Sequence, residues 1–173
     1  HRIGGAGHQI AHPALGTVLE PVFVADIGEG DSRRARITAE PVVSGGVIYT
    51  VDARATVTAT STSGETLWTQ SLGVGTDRRN DASGGAVSIA DGQVFVTTGF
   101  GMVTALNAAN GQVIWEQDLD APVTSGATVV GDLVYVVSRD STAWAIETDN
   151  GRIRWQRSGT PSDANFGSGA SPA

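Results

Sequence analysis

Few residues in this chain have the chemistry to bind or react, and their spacing limits what each can do. His1, His8 and His12 carry imidazoles that could ligate a metal. Their spacing within a Gly-rich terminal stretch matches no compact metal motif, so they read as a solvated tail. Trp68, Trp115 and Trp155 could stack on a planar cofactor. There is no cysteine, which removes disulfides, thiolate nucleophiles and Cys-ligated metals. Gly28-Glu29-Gly30 and Gly99-Phe100-Gly101 open no helix and are not dinucleotide fingerprints. No Gly-x-Ser-x-Gly elbow, His-Glu-x-x-His pair or phosphate loop is present. The motifs therefore point to no catalytic residue, no metal and no cofactor.

Composition narrows the classes further. A net charge of −7 disfavours nucleic acid as a partner. All eleven basic residues are arginine, which reads first as genomic bias. No apolar run approaches the roughly 18 residues that span a bilayer. The chain starts at His1 with no signal sequence in view, so its true N-terminus is expected to be processed or to lie outside this stretch.

The elements that would position any site come from a repeat. Gly64-Glu65-Thr66-Leu67-Trp68 recurs as Gly111-Gln112-Val113-Ile114-Trp115 and as Gly151-Arg152-Ile153-Arg154-Trp155. An aromatic precedes each tryptophan by about 20 residues: Tyr49, Phe95 and Tyr135. Each unit reads as four short strands separated by turns, and no helical periodicity of useful length appears. Asp91-Gly92, Asn110-Gly111 and Asn150-Gly151 read as hairpin turns in which both central residues tolerate positive φ. Second strands such as Val134-Tyr135-Val136-Val137 are apolar on both faces, as expected of a strand between two sheets. The fold expected is all-β: a propeller of four-stranded antiparallel blades. Tryptophans at one fixed phase per blade then fill the gaps between blades, each indole N–H bonded to a backbone carbonyl. Phe23 takes the same slot in a lone leading strand, with Tyr49, Phe95 and Tyr135 as packing partners.

The expected layout is an N-terminal extension at 1–18, an outer strand at 19–28 that closes the last blade, blades at 37–72, 84–119 and 125–157, and the start of another at 167–173. Closed propellers need at least four blades, so this stretch is expected to belong to a longer chain.

These residues carry a resemblance. Ala105-Leu106-Asn107-Ala108-Ala109-Asn110-Gly111-Gln112-Val113-Ile114-Trp115 resembles the Ala-x-Asp-x-x-Thr-Gly-x-x-x-Trp repeat of pyrroloquinoline-quinone-type β-propellers. Ala145 to Trp155 repeats it, and Ala59 to Trp68 does so one residue shorter. Asn107 and Glu147 stand where the motif has Asp, and Asn110 and Asn150 where it has Thr. Two branches compete. Quinone-dependent dehydrogenases need Ca²⁺ ligands and a catalytic aspartate; Asp52 and Asp140 are the candidates, each just after a second strand, where turn residues are commonly Asp. The opening strand Val22 to Gly28, the segment Arg36 to Val43 and Asp81 to Gly85 are more similar to BamB-like proteins. That resemblance implies about three to four blades of an eight-bladed, non-catalytic scaffold. It implies a periplasmic lipoprotein attached to the outer membrane by an anchor absent from this sequence. The scaffold would bind the central subunit of the β-barrel assembly machinery and steer unfolded precursors.

Blade topology adds a candidate docking face. Blade-to-blade connections share one face with second-to-third turns. Arg33, Arg34, Arg36, Arg78 and Arg79 lie in two such connections, and Arg54 and Arg139 in two such turns. Asp31, Asp77, Asp81 and Asp140 share that face, so a network of surface ion pairs is the plain alternative. A protein-docking patch is the functional one. The opposite turns are expected to carry acids and no arginine.

Overall fold

The computed structural model describes residues 23–25, 39–72, 85–123 and 125–159. Among these, the chain forms twelve strands and no helix. β1 (Val42–Ser44), β2 (Val47–Val51), β3 (Thr56–Ser61) and β4 (Thr66–Ser71) make one antiparallel sheet in sequence order. β5 (Ala86–Ala90), β6 (Gln93–Thr97), β7 (Met102–Asn107) and β8 (Val113–Asp118) make the second. β9 (Thr128–Val130), β10 (Leu133–Val137), β11 (Thr142–Glu147) and β12 (Ile153–Ser158) make the third. β5 touches β1 on one side and β9 on the other, so the first strands line up inside and β4, β8 and β12 are the outer edges. These are successive propeller blades. Runs of Val, Thr, Ile and aromatics suit a pleated, buried surface, and short turns end the runs, most with Gly but Asp52–Ala55 and Ser138–Ser141 without it.

The period of the repeat has a structural reason. In register, Tyr49 pairs with Ala59 and Ala59 with Trp68. Phe95–Ala105–Trp115 and Tyr135–Ala145–Trp155 form the same row in the other sheets. Partners in register share a face, so the small central alanine lets the two flanking rings lean together. Their centroids stand 6.0 Å apart in all three blades, with interplanar angles of 49°, 45° and 50°. A tilted pair at that distance is a favourable aromatic geometry.

Each outer strand also carries a bulge one residue before its tryptophan. Ala59 pairs with Trp68 but Thr60 with Thr66, which leaves Leu67 over. Ile114 and Arg154 are the extra residues in β8 and β12. A bulge bends an edge strand and disrupts its ladder, which re-aims the neighbouring side chain and blunts the edge.

The cores lie between blades. Tyr49, Val51, Val57 and Ala59 of the first sheet pack with Val87, Val94, Val96 and Leu106 of the second. Phe95, Val103, Ala105 and Trp115 pack with Val134, Val136, Trp144 and Ile146 of the third. Alternate residues of β6 thus enter opposite cores, which is why that strand is apolar on both faces.

Two turn assignments differ from the sequence reading. At Asn110-Gly111 and Asn150-Gly151 only the glycine takes positive φ (73° and 75°). Gly111 N–H donates to the Asn107 carbonyl and Asn107 N–H to that of Gln112, so Ala108–Gly111 is a four-residue loop. Asn110 instead accepts the Gln112 N–H through Oδ1. The two-residue turn does occur at Gly45-Gly46 and Asp91-Gly92, where both residues have positive φ. Of the expected outer strand at 19–28 only Phe23–Ala25 are described, without ladder pairing; 1–18 and 167–173 lie outside the described residues.

Candidate functional site

Three aromatic seats tie the blades together. The Trp68 ring lies over Gly111 of the next blade so closely that a Cβ on that glycine would stand 2.5 Å from it. Trp115 covers Gly151 at 2.7 Å by the same measure, and Phe23 covers Gly64 at 2.9 Å. Trp68 Nε1–H donates to the Ala108 carbonyl at 2.9 Å and Trp115 Nε1–H to that of Thr148 at 2.7 Å. The Tyr49 hydroxyl also donates to the Ala108 carbonyl, at 3.3 Å, and burial raises its pKa above the usual 10. The glycines of the repeat therefore serve twice, in the turn and as the floor of a ring. The sequence reading saw only the turn. Trp115 is 7% exposed but Trp155 is 38% exposed, because among the described residues no further blade follows β12.

The second-to-third turns hold the candidate carboxylates. Asp52 Oδ1 accepts the N–H groups of Arg54 (2.9 Å) and Thr56 (2.7 Å). Asp140 Oδ1 accepts from the Ser138 hydroxyl and from the Thr142 N–H. The Ser138 hydrogen bond is the chief reason that the Asp140 carboxyl sits below its usual pKa. In the second blade Thr98 Oγ1 accepts the Met102 N–H in the same place. Thr98 thus takes the place of Asp52, and Asp140 accepts from its own turn two residues further on. Among the described residues no group of three or more His, Asp or Glu is placed to hold a metal ion.

The connection leaving each blade runs beside its own second-to-third turn. Leu72, Leu119 and Gly159 N–H donate to the carbonyls of Ala55, Gly101 and Ser141. Arg54 and Arg139 are exposed on this face. Arg33, Arg34, Arg36, Arg78 and Arg79 lie outside the described residues, as do Asp31, Asp77, Asp81 and His1, His8 and His12.

The opposite ends of the blades gain a basic group from a strand rather than from a turn. Arg154 reaches back to this face, its Nε 2.9 Å from Glu147 Oε1 and a terminal nitrogen 4.0 Å from Asp132. The bulge at Arg154 allows this, a displacement that a regular strand reading does not reveal. Glu147 also accepts from the Asn150 amide, which with Arg154 lowers its pKa. Between the first and second blades this face opens a groove of ≈ 380 Å³. Val47, Tyr49 and Leu67 line one side; Ile89, Asp91 and Ala108 line the other. Sequence reasoning missed it, because it arises from small residues of two blades meeting in space.

The model of the family described as outer membrane protein assembly factor BamB matches residues 53–173, well over half of the chain. The protein of that name from Taylorella asinigenitalis is 37% identical over 81 residues, covering 47% of this chain and 20% of its own length. The Escherichia coli one is 33% identical over 101 residues, covering 53% and 25%. A quinoprotein ethanol dehydrogenase from Pseudomonas putida is 28% identical over 99 residues, covering 52% and 15%. Among solved structures, BamB from Moraxella catarrhalis superposes with a TM-score of 0.61 at 21% identity, over 73% of this chain and 37% of that one. A quinohemoprotein alcohol dehydrogenase from Comamonas testosteroni gives 0.62 at 24% identity, over 75% and 22%. Both likenesses show the propeller fold alone. The matches span about a fifth to a quarter of the length of the two curated BamB relatives. With the repeat, the aromatic seats and the family match together, the chain belongs to the family of outer membrane protein assembly factor BamB.

Proposed function

We propose that this chain is part of a non-catalytic periplasmic scaffold, held at the outer membrane, that serves β-barrel protein assembly. The observation that carries this reading is the family match over residues 53–173, seen beside carboxylates spent on turn hydrogen bonds. The mechanism is binding. A stack of blades locked by aromatic seats is a rigid support, and loops on a rigid support meet a partner at little entropic cost. The docking residues are Arg33, Arg34, Arg36, Arg78 and Arg79, and the partner is the central subunit of the assembly machinery. A cationic patch on an otherwise acidic chain (net −7) speeds encounter and fixes orientation more than it raises affinity.

The test reverses Arg34 and Arg78 to Glu in the full-length protein. Pull-down of the assembly subunit should weaken while the melting temperature holds. Asp149→Arg, on the other face, is the control and should leave capture unchanged. Equal capture by the two variants would remove the docking assignment. The 28% identical quinoprotein ethanol dehydrogenase supports a second reading, an enzyme fragment. Adding pyrroloquinoline quinone with Ca²⁺ separates the two, since a ligand that binds only the folded state raises its stability. No thermal shift and no quinone-dependent dye reduction are expected.

A further inference from the structure

We propose that the groove between the first and second blades binds an extended segment of a partner protein that presents an apolar side chain beside a lysine or arginine. The groove lies on the blade ends opposite the second-to-third turns of Arg54 and Arg139, so this inference stands apart from the docking proposal above. Its ≈ 380 Å³ is at the lower end of the roughly 300–1,000 Å³ of ligand sites, and it is open to solvent. That shape receives one or two side chains of a longer molecule.

The groove is built by omission. Gly45 and Gly92 leave open space around their Cα atoms, and Ala108 and Ala109 form the facing loop. At the next blade interface the same repeat positions carry larger side chains: Gln93 in place of Val47, and Thr148-Asp149 in place of Ala108-Ala109. Leu67 is the second sign. It is the bulge residue of an edge strand and is 49% exposed. The second blade also carries an exposed apolar residue at its bulge, Ile114, whereas the third places Arg154 there and pairs it with Glu147, so the fold itself does not fix the residue type. What sets Leu67 apart is its place in the groove lining, where its exposed apolar surface can be covered by an incoming side chain.

Charge selects the occupant. Asp91 lines the groove, and no basic residue lines it. A net charge of −7 disfavours a second copy of this chain and favours a basic segment. The bulge at Leu67 interrupts the outer ladder beside the groove, so recognition is by side chain rather than by adding a strand.

The test is fluorescence anisotropy with the full-length protein and a labelled peptide carrying phenylalanine between two arginines. Saturable binding is expected, weakened about tenfold by Leu67→Ser through lost apolar contact. Asp91→Asn should weaken it about fivefold and flatten its salt dependence. Asparagine tolerates the positive φ of that position (49°), so the turn survives. A peptide with glutamates in place of the arginines should not bind. Undiminished affinity in both variants, or equal binding of the glutamate peptide, overturns the proposal. So does a concentration-dependent dimer that Leu67→Ser abolishes, which would give the groove to a second copy.

Discussion

At the scale of residues, the repeat glycines carry two separable constraints. Gly92 and Gly151 have nearly the same φ, 74° and 75°, but a Cβ at Gly92 meets nothing within 4 Å while one at Gly151 would enter the Trp115 ring. Left-handed backbone costs a non-glycine residue about 1–2 kcal/mol. Gly92→Ala should therefore lose about that much stability in urea unfolding. Gly151→Ala should lose clearly more, because Trp115 must also leave its seat and give up its hydrogen bond to Thr148. Equal losses would mean that the ring contact adds nothing. The sequence signals a turn glycine plainly, since Asn-Gly between apolar runs is a local pattern. It cannot signal the ring above, which arrives from another blade.

At the scale of elements, the turn at Ser138–Thr142 links stability to pH. Its Asp140 carboxyl has a depressed pKa in the folded state, chiefly through the Ser138 hydroxyl, against a usual value of 3.8. A depressed folded value means that the stability it contributes is present above about pH 4 and is lost as pH falls toward the folded value. Asp140→Asn keeps an oxygen acceptor for the Thr142 N–H and removes the titration. The stability lost between about pH 6 and pH 3 should be smaller in that variant than in the parent. Identical losses would show that the carboxylate makes no net contribution. Four strands per blade were legible, because β-branched and aromatic runs between turns rich in Gly, Asn, Asp and Ser leave little choice. The bulges were not. One extra residue per outer strand leaves composition and periodicity almost unchanged, yet it brings the strand residue Arg154 to the face whose turns read as acidic and free of arginine.

At the scale of the whole molecule, blade order decides what a tryptophan is worth. Trp115 is enclosed between sheets, and Trp155, in the same slot, is 38% exposed on the last described sheet. Trp115→Ala should cost about 3–5 kcal/mol, as large core truncations do. In this 173-residue chain Trp155→Ala should cost about 1–2 kcal/mol, mostly its contact with Tyr135. Urea titration of both variants gives the comparison, and equal costs would show that something covers β12. The groove escaped the sequence for the same reason that Trp155 differs from Trp115: both depend on which blade stands next to which. The Phe23 contact on Gly64 carries a mechanical consequence. Phenylalanine fills the ring seat by shape but has no N–H to give, whereas Trp68 and Trp115 each clasp the neighbouring blade with a hydrogen bond. Such a bond contributes about 0.5–1.5 kcal/mol. Under load, the Phe23 seat on Gly64 is expected to open before the Trp68 and Trp115 seats do.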